Sequence, residues 1–225
     1  MKQVETLIRE YLKKTHEKIN DPRLIDENII QDISTKITNA SKIVNLSSSD
    51  LLKNIDFQEN NLTIEKIEGL LAELRAIFWL DNFRFSNIKP LKAKNRQKTQ
   101  EPDFEAIYKK KKAVIEVYCL TEKHEQQKDK TINCYVNTGN DFLSKYKNKV
   151  LDKKSQLDSI NSDIKIFLCV INSKPVSRLN TKNDFQKYLE QISVDLSWGS
   201  NYYFGVLTGL VSNGISDDTI YPLLH

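Results

Sequence analysis

Pro102-Asp103-Phe104 and Ile115-Glu116-Val117 put two carboxylates on what read as neighbouring strands of one hairpin. Glu116 lies inside Ala113 to Leu120, a run that is otherwise apolar or aromatic. A charge buried in such a strand costs several kcal/mol unless something pairs with it or is ligated by it. With the loop placed over Lys109 to Lys112, Tyr108 faces Ala113, Glu105 faces Glu116 and Asp103 faces Tyr118. Asp103 is then diagonal to Glu116 on one side of the ribbon, about 7–8 Å away, with Glu105 between them. Carboxylates gathered this way raise one another's pKa unless a cation neutralises them. Oxygen ligands with room for water suit Mg²⁺ or Mn²⁺ rather than zinc. A slip of one residue in the register would scatter the group.

A third acid comes from a helix. Ile64, Ile67, Leu70, Leu71, Leu74, Ile77 and Phe78 recur at intervals of three and four, and Thr63 is placed to cap them. Glu73 shares a row with Leu70, Ile77 and Leu80, so it is the acid expected to point inward, with Glu65 and Glu68 toward the polar side. The plainer reading of Glu73 is a boundary residue paired with Arg75 or Lys66. Strands are expected over Phe83–Ile88, Phe104–Tyr108, Ala113–Leu120, Ile164–Ile171 and Tyr202–Leu210, and helices over Asp141–Leu157 and Asp184–Ser193. The order α-β-β-β-α-β-α-β makes an α/β domain with a mixed sheet flanked by helices, over residues 63–225. Residues 1–62 read as a separate helical region: Val4, Leu7, Ile8, Tyr11 and Leu12 have helical spacing, Asn20-Asp-Pro22 breaks it, Ile25 to Ile37 resumes it, and Ser47 to Asp50 caps Leu51-Leu52.

This arrangement resembles the PD-(D/E)xK, or restriction-endonuclease-like, nucleases, whose core is αβββαβ. Ala72-Glu73-Leu-Arg-Ala76, Pro102-Asp103-Phe104 and Ile115-Glu116-Val117 fall in that family's order, and the resemblance covers roughly residues 63 to 210. The family's lysine, two residues after the glutamate, is Tyr118 here. Some branches carry the lysine on the helix after the third strand, with a glutamine three residues later, and Lys153-Lys-Ser-Gln156 matches that variant. Lys149, Lys153 and Gln156 share a helix face. The resemblance implies a metal-dependent nuclease hydrolysing phosphodiester bonds in DNA, in restriction, defence or repair. Asp103, Glu116 and Glu73 would be its Mg²⁺ or Mn²⁺ ligands and Lys153 its catalytic cation. Gln156, Tyr118 and Lys149 would be its substrate contacts. An ordinary solvated face accounts equally for Lys145, Lys147, Lys149, Lys153 and Lys154.

Composition narrows the class. The 225 residues are 39% hydrophobic and 28% charged, enough for a core in a water-soluble protein, and no apolar run reaches the ~18–20 residues that cross a bilayer. The start lacks a signal peptide's apolar stretch, and three cysteines without a CxxC pair argue against a disulfide framework, so a cytoplasmic protein is expected. Six glycines assemble no phosphate-binding loop, and His16, His124 and His225 have no partner at ligand spacing. A net charge of +4 permits nucleic acid. Lys89, Lys92, Lys94, Arg96, Lys98 and Lys109 to Lys112 are the candidate backbone contacts. Paired cuts in duplex DNA would favour a homodimer. Two other readings stand beside the enzyme: a catalytically inactive nuclease-like nucleic-acid-binding module, supported by Tyr118, and a protein-interaction module working through the N-terminal helices.

Overall fold

A computed structural model describes residues 2–20, 22–55, 64–91, 101–120, 139–171, 182–209 and 218–224. Thr63, the basic connector 92–100, Cys134, His124 and His225 lie outside them. The described elements are α1 (Lys2–Ile19), a 3₁₀ turn (Pro22–Ile25), α2 (Glu27–Ile43), α3 (Ser48–Asn54), α4 (Ile64–Asn82), β1 (Ser86–Pro90), β2 (Phe104–Tyr108), β3 (Lys111–Leu120), α5 (Gly139–Asp158), β4 (Ile164–Ile171), α6 (Lys182–Leu196), β5 (Tyr202–Thr208) and β6 (Thr219–Tyr221). The strands form one six-stranded mixed sheet in the order β1-β2-β3-β4-β5-β6. Pairing is antiparallel from β1 to β3, parallel from β3 to β5, and antiparallel again at β6. The protein is therefore α/β, with helices on both sides of the sheet. None of the described helices is long and apolar enough to cross a membrane.

Alternation along the strands divides the interior in two. Ala113, Ile115, Ile166 and Leu168 join a core with α4 and the N-terminal helices, which reach α4 through α2. Val114, Phe167, Cys169, Phe204 and Val206 face the other way, against Tyr146 and Val150 of α5 and Leu189 and Ile192 of α6. Helix α4, clasped between α2 and the sheet, is buried nearly all round; Leu70, Leu74, Ala76, Ile77 and Leu80 are all core residues. That burial corrects the expectation for Glu68, which is only 5% exposed and not on a polar face. The row it occupies meets protein on both flanks of α4, so no solvent face is left for it.

Two connections carry the placement of the site. Helix α4 ends with the Phe83 N–H bonded to the Trp79 carbonyl, the Arg84 N–H to Asp81 and the Phe85 N–H to Leu80. Arg84 sits in the left-handed region at φ 63°, a position that usually belongs to glycine. This cap holds Phe83 to Phe85 out of the sheet, so β1 begins at Ser86 rather than at Phe83. The second connection is the β2–β3 turn. Tyr108 pairs with Lys111, leaving a two-residue loop of Lys109 and Lys110, both at positive φ (48° and 67°). That geometry is a type I′ turn, which favours Asn-Gly, and two lysines give no such signal in a sequence. Because L-residues at positive φ are strained by about 1 kcal/mol each, Lys109→Asn with Lys110→Gly is expected to raise the urea midpoint. The gain is on the order of 1–2 kcal/mol, measured at unchanged m value.

Candidate active site

The short turn moves the hairpin register by two residues from the expected one. Phe104 faces Ile115, Glu105 faces Val114 and Ala106 faces Ala113. Carried one step on, Asp103 stands opposite Glu116. A two-residue slip preserves the side of the ribbon, so the two acids become direct neighbours rather than diagonal ones. Glu105, expected between them, instead pairs with the Lys112 ammonium at 2.9 Å. The Lys109–Lys112 end of the ribbon lies about five residues, roughly 16 Å, from this point. Lys109, Lys110 and Lys111 there are exposed.

The regular β2 ladder stops at Phe104, while β3 runs on to Leu120. Asp103 bridges the change: its Oδ2 accepts from the Val117 N–H at 2.7 Å, and its backbone carbonyl accepts from the Leu91 N–H at 2.8 Å. One residue is thus locked to β1's end and to β3, which fixes where its second carboxylate oxygen can reach. Past Phe104 the paired ladder ends, and there Lys153 and Gln156 of α5 reach Glu116 and the Glu101 carbonyl.

Glu116 is 1% exposed and points to the α5 side of the sheet. Lys153 of α5 comes to it, placing Nζ 2.6 Å from Oε1. The other oxygen, Oε2, is buried with no hydrogen-bond partner among the described residues. Burial first, then the like charge of Asp103, push the Glu116 carboxyl up to about 8, although Lys153 and the Asp103 backbone N–H oppose this. Burial likewise raises Asp103 to about 6 against the pull of the Val117 N–H and Lys153. Lys153 is raised: burial works against its charge, but Glu116, then Asp103, then more weakly Glu73 favour it. These are three charged groups whose protons are tied to one another.

Glu73 is half-buried on α4 and acts on Lys153 through space. Arg75, one expected partner for it, is buried and bonds Asp218 ahead of β6. Gln156 donates from Nε2 to the Glu101 carbonyl at 3.5 Å, over the segment that leads into Asp103. Lys149 places Nζ 5.3 Å from the centroid of the Tyr118 ring and also reaches Asp152 at 3.7 Å. Among the described residues, no group of three or more His, Cys, Asp or Glu side chains is gathered closely enough to hold a metal ion. The immediate cluster is therefore two carboxylates and one ammonium. The anchoring of Asp103 through Val117 and of its approach through Glu101 uses backbone groups, which carry no residue-type signature in a sequence. No protein-family model matches the chain, and no curated protein or solved structure matches it.

Proposed function

We propose that this chain is a metal-dependent nuclease hydrolysing phosphodiester bonds in DNA, a PD-(D/E)xK-like enzyme whose active lysine stands on α5. The observation that carries the reading is the ion pair of Lys153 with Glu116, opposite Asp103. The lysine missing at position 118 is supplied from the neighbouring helix. The order α4-β1-β2-β3-α5-β4, with acids on α4, just ahead of β2 and within β3, supports it.

The residues present fit a hard divalent ion. Glu116 Oε2 is a buried acceptor with no donor among the described residues, and Mg²⁺ needs only one or two protein carboxylates because it keeps several waters. Asp103 and Glu116 would hold it, with Glu73 joining through water. When bound, such an ion polarises the phosphoryl oxygens and lowers the pKa of an attacking water. The chain's own groups do the remaining work. Asp103, pinned to the Val117 N–H, keeps its carboxylate in place without reorganisation. Glu116 holds the Lys153 ammonium beside the reacting phosphate, where it stabilises the negative charge that grows as water adds and the leaving oxygen departs.

The test is incubation of the purified protein with plasmid and with single-stranded DNA, with Mn²⁺ or with EDTA. Cutting that needs Mn²⁺ and falls on the order of 10²-fold or more in Lys153→Met and Asp103→Asn is the expected result. Binding without any cutting would instead identify an inactive nuclease-like module.

A further inference from the structure

Two residues beyond Glu116, on the same side of β3, lies Tyr118. One turn before Lys153 on α5 lies Lys149. Lys153 meets Glu116 and Lys149 meets Tyr118, so α5 crosses β3 antiparallel and matches it step for step. Two strand residues span about 6.6 Å and four helix residues about 6 Å, which keeps the two contacts in register. The result is a ladder of two rungs: an acid with a cation where the chemistry is proposed, and an aromatic ring with a cation one rung away. Tyr118 lies on the stretch of β3 that extends past the end of the β2 ladder, and it stays partly exposed. Its ring is covered by a lysine whose side chain is 41% exposed, not by fixed core atoms alone. A flexible, half-solvated lysine is readily displaced.

Resting on the nuclease reading above, we infer that Tyr118 and Lys149 form a one-nucleotide subsite that stacks an unpaired base and holds its phosphate, making single-stranded nucleic acid the preferred substrate. An aromatic face beside a cation is how proteins hold single strands without reading sequence. A base inside a duplex is stacked on its neighbours and cannot offer its face to a side chain unless it is flipped out. The ring is therefore usable by a free strand or a frayed end, and a fully paired segment gains only the charge of Lys149. Tyr118 is here a specificity residue: the reacting groups remain Asp103, Glu116 and Lys153.

Fluorescence anisotropy in EDTA at low ionic strength separates the possibilities, using one labelled oligonucleotide as a single strand and as a blunt duplex. Tyr118→Leu is expected to weaken single-strand binding about tenfold, and duplex binding is expected to stay within about twofold. Tyr118→Trp, which keeps a stacking face, should retain single-strand affinity and shows that loss in the leucine variant is not misfolding. Lys149→Gln should weaken both forms and lower the salt slope by about one. Unchanged single-strand binding in Tyr118→Leu, or equal losses on both forms, overturns the subsite and leaves the nuclease reading standing if Mn²⁺-dependent cutting persists. Failure of the unaltered protein to bind either form overturns the subsite, and the nuclease reading falls with it only if Mn²⁺-dependent cutting is absent too.

Discussion

Glu116→Gln is expected to abolish metal-dependent cutting and, in the same protein, to make the metal-free chain more stable at pH 8. The two effects have one cause. In the folded protein the Glu116 carboxyl is raised to about 8 and Asp103 to about 6, first by burial and, for Glu116, then by the charge of its neighbour. In the unfolded chain both titrate near ordinary carboxylate values of about 4. Between roughly pH 4 and pH 8 the folded state thus holds more protons than the unfolded one, so stability falls as pH rises across that window. The ionised Glu116 of the unfolded chain makes folding about 4 kcal/mol less favourable at pH 8 than a neutral side chain would, even with Lys153 beside it. Glutamine has the same shape and no charge to desolvate. Lys153 keeps 31% side-chain exposure and can be solvated when its partner is neutral.

Thermal unfolding should therefore show the variant about 10–15 °C above the parent at pH 8, with the gap closing toward pH 4, where the carboxyl of the unfolded parent is protonated as well. Mn²⁺ should close the gap from the other side, because a ligand that binds only the folded, ionised pair adds stability to the parent alone. Activity should fall on the order of 10³-fold, which corresponds to about 4 kcal/mol of lost charge stabilisation. A variant whose melting temperature follows the parent's at every pH would mean that Glu116 ionises without penalty. The physical basis for a cation at this place would then be gone.

Arg75→Met should be the most damaging substitution in the scaffold. Arg75 is 4% exposed and its partner Asp218 is 7% exposed, and Asp218 also accepts from the Thr208 N–H at 3.2 Å. The pair joins α4 to the end of β5 and the start of β6, elements 143 residues apart in sequence. Removing one member leaves the other charge buried, a loss of about 3–5 kcal/mol. That corresponds to a melting temperature lower by about 10 °C. Adding Asp218→Asn to Arg75→Met should recover much of the loss, since asparagine still accepts from the Thr208 N–H and carries no charge. Additive losses in the double variant would show that the two side chains act independently. Because Glu73 is two residues from Arg75 on α4, the single variant should also weaken cutting beyond what its lowered stability explains.

Periodicity in the sequence was enough for most of the elements. Ile164–Ile171 and Phe104–Tyr108 are strands from end to end where the apolar runs and alternation put them, and Ser47 caps α3 through the Asp50 N–H. These follow from near-neighbour physics: burial of one face, and a hydroxyl placed to satisfy a free backbone donor. The same local rules marked Glu116 as a charge in an apolar strand. They could not supply the β2–β3 register, because the turn uses two lysines where glycine and asparagine would have announced it. Nor could they show β6, three residues long and stable only against β5. Spacing along α4 pointed Glu73 inward and Glu68 toward the polar side, yet Glu68 is the buried one and Glu73 only half-buried, since burial depends on what α2 and the sheet place against α4. The meeting of Lys153 with Glu116, 37 residues away, was likewise decided by tertiary packing alone. Residue types and spacing determined which groups could ionise, stack or cap. Only the fold determined which of them share a low-dielectric space, because proximity between distant residues is a property of packed elements and not of the chain that forms them.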